Sequence, residues 1–123
     1  KKFFPKSILI EDRGLAGVFQ NLFDNAHHAM KGEGTITIST QPNGQYVTVS
    51  IRDTGCGVHP SHRERIFEPF FSTKENGEGT GIGLAICQEI IERSGGEIRF
   101  ESAEKKGTTF FIKLPYQHER EEK

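Results

Sequence analysis

With 123 residues, 16 basic against 17 acidic side chains and 33% apolar residues, the chain has one domain's length and enough apolar material for a core without staples. Its near-neutral charge has no concentrated basic stripe, which removes the electrostatic argument for nucleic acid or direct membrane contact. Two cysteines, Cys56 and Cys87, suggest no disulfide framework, and no signal peptide, transmembrane run or repeat is visible, so a reducing, cytoplasmic compartment is expected.

Ser7 to Ile10 read as a short strand. From Gly14 to Met30 the spacing predicts a helix, because Leu15, Val18, Phe19, Leu22, Phe23, Ala26 and Met30 recur at i, i+3, i+4, i+7 and form one apolar stripe. At ~100° per residue, Asn21 and Asn25 fall along one border of that stripe with His28 next in line. Gln20, Asp24, His27 and Lys31 take the outer face. Two neutral oxygen donors one turn apart at a core margin suit a Mg²⁺ ion also held by phosphates and water. Solvation is the commoner fate of asparagine, and the shared edge is what favours the metal.

Thr35 to Thr40 and Tyr46 to Asp53 read as a hairpin through Pro42-Asn43-Gly44. Val47, Val49 and Ile51 alternate onto one face, and Asp53, two residues on, points the same way. A carboxylate delivered to an apolar face needs a donor, and the exocyclic amine of adenine is a suitable one. Gly55 and Gly57 would let the backbone approach the ring without a Cβ in the way. Alone, Asp53-Thr54-Gly55-Cys56-Gly57 reads equally well as a hairpin end.

A loop with one helical turn near Pro60 to Arg65 follows; His59 and His62 lack a second ligand pair nearby and read as solvated. Ile66 to Lys74 carries Phe67, Phe70 and Phe71 around Pro69, either core or a surface that docks a partner helix. Glu75 to Gly79 reads as a polar flap with glycine hinges, and Lys74 at its start is within reach of a β- or γ-phosphate. Gly79-Thr80-Gly81-Ile82-Gly83-Leu84 then leads into an apolar helix that ends at Ser94-Gly95-Gly96. Free N–H groups at a helix start, with no side chains in front of them, favour phosphate, although the Walker lysine is absent and a plain hinge fits the same residues. Ile98 to Ser102 and Thr108 to Leu114 form a second hairpin, and the charged tail over 116–123 is expected to fray.

These segments together resemble the catalytic ATP-binding domain of two-component sensor histidine kinases. Asn21-Leu22-Phe23-Asp24-Asn25-Ala26 looks like the N box and Asp53-Thr54-Gly55-Cys56-Gly57 like the G1 box. Ile66 to Lys74 resembles the F box, Gly79 to Leu84 the G2 box, and Gly107-Thr108-Thr109-Phe110 the last block. The resemblance covers Leu15 to Pro115, and four ordered motifs are far more specific than any single glycine pattern. It implies the Bergerat fold, an α+β two-layer sandwich with a mixed, antiparallel-rich sheet and its helices on one face. The domain is expected over 1–115.

The resemblance further implies that Asp53, Gly55, Gly57 and Val58 meet the base. Ile66, Phe70, Ser72, Thr73 and Lys74 would border the nucleotide, Gly79, Thr80, Gly81, Ile82, Gly83 and Leu84 the phosphates, and Thr108 would close the site. Asn21 and Asn25 would hold Mg²⁺ and, with Lys74, serve transfer of the γ-phosphoryl group of ATP to a histidine on a separate dimerisation domain. That domain would dock near Phe67, Phe70 and Phe71, a response regulator would act downstream, and the full protein would be a homodimer. His28 departs from the family's usual lysine, which puts its phosphate contact in doubt. No segment matches the family's phospho-acceptor motif. The chain opens on Lys1 rather than Met and is expected to be a piece of a longer protein, itself free to be membrane-anchored. Two other classes stay open: a hydrolytic ATPase or serine kinase of the same superfamily, and a nucleotide-binding regulatory module without catalysis. Position 21 separates the first of these, because such relatives usually carry Glu there as a base.

Overall fold

The computed structural model describes residues 14–69 and 83–115. In chain order these form α1 (Leu15–Met30), β1 (Ile36–Asn43), β2 (Tyr46–Asp53), a 3₁₀ turn (Pro60–His62), α2 (Gly83–Arg93), β3 (Glu97–Ala103) and β4 (Gly107–Pro115). The strand expected at Ser7 to Ile10, the flap at Glu75 to Gly79 and the charged tail lie outside the described residues.

The strands pair antiparallel in the order β1-β2-β4-β3. Both helices lie on one face of this sheet, α1 against β2 and α2 against β3, and touch each other. The register explains why that face is apolar: Val47 stands opposite Leu114, Ile51 opposite Phe110, and Ile98 opposite Ile112. These side chains meet Leu15, Val18 and Leu22 of α1 and Cys87 and Ile91 of α2 in one core. Leu22, Ile91 and Ile112 are fully buried, and truncating such a residue to Ala costs about 2–5 kcal/mol. Burial also pushes the Cys87 thiol up to about 11, so it behaves as a small apolar group. The opposite face carries the alternate residues, with the Arg99 guanidinium 4.1 Å from the centre of the Phe111 ring and the Lys113 ammonium 4.4 Å from that of Tyr46.

Helix ends follow the sequence closely. Gly96 N–H donates to Ile91 O at 3.0 Å and Gly95 N–H to Glu92 O at 3.0 Å, the paired closure expected when a helix runs into Ser94-Gly95-Gly96. The first hairpin differs from expectation. Pro42 lies inside β1 opposite Val47, and the turn is the two-residue Gly44-Gln45, with Gly44 at φ +67°. Among the described residues β1 is a sheet edge, where Pro42 can sit without removing a needed donor.

Candidate functional site

Asp53 ends β2 on the core face and is 5% exposed, as the alternation from Val47 required. Its Oδ1 accepts from Gly55 N–H at 2.8 Å and from Thr108 N–H at 3.3 Å. Charge-assisted bonds of this kind offset the desolvation of a buried carboxylate. Both bonds fall on Oδ1, so among the described residues the donors that hold Asp53 engage one oxygen of the pair.

The two following glycines are required by packing of chain on chain. A Cβ on Gly55 would stand 2.8 Å from the Ala29 carbonyl, so only glycine lets this segment press on α1, where Cys56 N–H donates to Ala29 O at 3.3 Å. Gly57 has φ +76°, and a Cβ there would meet Ala103 O at 2.2 Å. The sequence predicts close approach of a base at these glycines, and the structure shows protein neighbours that require them as well. Gly57→Ala is therefore expected to destabilise the fold by at least about 1–2 kcal/mol from the left-handed backbone alone. In a thermal melt that is a drop of roughly 4 °C or more, and an unchanged Tm would show that the loop is not held as described.

Asn21 and Asn25 are half-buried along one border of α1, with Gln20, Asp24, His27 and His28 exposed. Gly83, the first residue of α2, lies against Asn21: a Cβ on it would stand 2.7 Å from Nδ2 and 2.9 Å from Oδ1. The N-box residue and the start of the second helix are thus adjacent in space. Leu84 and Val58 pack at the margin of the core, and Ile66 is buried within it. Thr108, 6% exposed, sits at the start of β4 beside Asp53. Phe70, Ser72, Thr73, Lys74, Gly79, Thr80, Gly81 and Ile82 lie outside the described residues.

Phe67 stands at the core margin: its ring is half-buried and meets Phe100 at 6.0 Å and Phe110 at 6.5 Å, both edge-on, while Phe71, like Phe70, lies outside the described residues. His59 is also more than a solvated residue. Its Nδ1 accepts from Ser61 N–H at 3.1 Å and caps the 3₁₀ turn, while its Nε2 lies 4.0 Å from Glu104.

Sequence reasoning missed Ser102. Its Oγ lies 2.7 Å from Val58 N, 3.0 Å from Gly107 O and 3.0 Å from Thr108 Oγ1. The signal was available: Ile98, Phe100 and Ser102 alternate onto the core face as Val47, Val49, Ile51 and Asp53 do. A polar residue continuing an apolar face marked Asp53 and marks Ser102 equally.

The profile of the histidine kinase-, DNA gyrase B- and HSP90-like ATPase family matches residues 10–118. The sensor histidine kinase ZraS of Salmonella typhi is 43% identical over 111 residues, which are 89% of this chain and 23% of that protein. The chain thus spans about a quarter of the length of this curated relative. Among solved structures, the mycobacterial sensor histidine kinase MprB superposes with a TM-score of 0.78 at 28% identity, covering 89% of this chain and 77% of that one. Full-length ShkA in complex with AMPPNP gives 0.77 at 31% identity, covering 89% of this chain and 23% of that one. Among the described residues no helix is long and apolar enough to cross a membrane.

Proposed function

We propose a mechanism from the premise that this chain belongs to the histidine kinase-, DNA gyrase B- and HSP90-like ATPase family and is the catalytic ATP-binding domain of a sensor histidine kinase. ATP is held with its adenine amine donating to Asp53. The observation that carries this is the buried carboxylate whose bonds to the described residues both fall on Oδ1, which leaves Oδ2 to serve the ligand. Gly55, Gly57 and Val58 form the adjoining wall, shaped by the contacts of the glycines with Ala29 and Ala103.

The phosphates lie toward the start of α2, where Gly79 to Leu84 lead into the helix and the first N–H groups face an incoming anion. Asn21 and Asn25 fit Mg²⁺ as a donor set, being neutral oxygen donors one turn apart, half-buried, and with Gly83 at Asn21. When bound there, Mg²⁺ would neutralise phosphate charge. Lys74 reaches the β- or γ-phosphate, and Thr108 supports the base through Asp53.

The γ-phosphoryl group passes to a histidine on a dimerisation domain of the same or a sister chain, which docks near Phe67, Phe70 and Phe71, and a response regulator acts downstream. The full protein is a cytoplasmic or membrane-anchored homodimer in this reading. Catalysis comes from positioning and charge neutralisation. The alternative of a hydrolytic ATPase or serine kinase meets an obstacle at Asn21, which lacks a basic carboxylate to activate water or a hydroxyl.

The chain alone is accordingly expected to release phosphate from γ-labelled ATP very slowly and to give acid-labile label only when a histidine-bearing dimerisation domain is added. An imidazole is already neutral at one nitrogen above its pKa and needs little activation. Fast phosphate release without acceptor, or label on serine, would move the chain to the hydrolase or serine-kinase class.

A further inference from the structure

Ser102 has one proton and three partners. Gly107 O can only accept and Val58 N–H can only donate, so the arrangement that satisfies all of them has Ser102 donating to Gly107 O and accepting from Val58 N–H and the Thr108 hydroxyl. Thr108 in turn donates its backbone N–H to Asp53 Oδ1. Around this hydroxyl the β3–β4 hairpin grips the segment after Asp53: Lys105 N–H donates to Cys56 O at 2.6 Å, and the Arg63 guanidinium donates to Ser102 O. Of these contacts, the Ser102 hydroxyl is the one that reaches both the loop at Val58 and the residue that holds Asp53.

Resting on the reading that Asp53 selects adenine, we infer that Ser102 is a positioning residue for base recognition, aiming the Asp53 carboxylate through Thr108 and fixing the adjoining wall at Val58. Removing the hydroxyl takes the acceptor from Val58 N–H and from a buried threonine, and the loop and carboxylate lose their shared reference point. A merely structural hydroxyl would lower the Tm yet leave the folded molecules reading the base as before.

The test compares ADP and IDP, which replaces the exocyclic amine by a carbonyl, in calorimetric titrations of the 123-residue chain, with thermal melts alongside. Wild type should prefer ADP. Ser102→Ala should weaken ADP about three- to tenfold and IDP less, narrowing the ratio, and Ser102→Thr should restore it. Should the Ala variant fail to fold, Ser102→Cys, with a weaker acceptor of similar bulk, makes the same comparison. An ADP-to-IDP ratio that stays at the wild-type value in these variants, while Asp53→Asn narrows it, overturns the role of Ser102 and leaves the adenine reading standing. No ADP preference in wild type overturns the adenine reading and this inference with it.

Discussion

Asn25→Ala is expected to remove most of the Mg²⁺ enhancement of nucleotide binding and to lower phosphoryl transfer by about two orders of magnitude or more. The side chain stands half-buried on the border of α1, one turn from Asn21, and outside the apolar core of Leu15, Val18, Leu22 and Ala26. Alanine is the better helix former at such a position, so the melting temperature should hold while the metal-dependent readouts fall. ADP titrations with Mg²⁺ and with EDTA isolate the binding effect from catalysis. In EDTA the variant and wild type should bind alike; with Mg²⁺ the variant should keep only a small part of the wild-type gain. A variant that keeps the full Mg²⁺ gain and normal transfer would return both asparagines to solvated helix residues.

What could be read from the chain followed the range of the contacts involved. The stripe on α1, the alternation that buries Asp53, and the glycine-closed end of α2 are local patterns, and each is in the structure where the sequence placed it. Pro42 reads as a turn residue from sequence because the edge position of β1 among the described strands, which makes proline acceptable, is a property of sheet order and not of the hairpin's own sequence. The reason for Gly55 and Gly57 was equally hidden: their neighbours, Ala29 and Ala103, are distant in sequence. Phe67 was ambiguous for the same cause, since only the pairing of β3 with β4 sets Phe100 beside Phe110 and creates the niche its ring enters. Ser102 is the instructive omission. The alternation rule applied to it as it did to Asp53, yet a hydroxyl on a core face signals less than a carboxylate, because leaving it without a partner costs less.

Asp53→Asn tests base recognition at the atom proposed to carry it. The amide keeps an oxygen that can still accept from Gly55 N–H and Thr108 N–H, so the structural role of Oδ1 survives and the fold should persist with a modest loss of stability. The position of Oδ2 becomes an NH₂ group, which offers hydrogens to an adenine amine that also offers hydrogens. One charge-assisted bond is worth about 1.5–3 kcal/mol, so ATP and ADP affinity should fall about 10- to 150-fold. The same exchange turns a site that repels the 6-carbonyl of IDP into one that can donate to it, so the loss for IDP should be smaller or reversed in sign. A generally damaged fold would weaken both nucleotides together. Calorimetry showing undiminished ADP binding by a folded Asp53→Asn variant would remove Asp53 from base recognition and leave its carboxylate as a clasp between β2, β4 and the loop that follows.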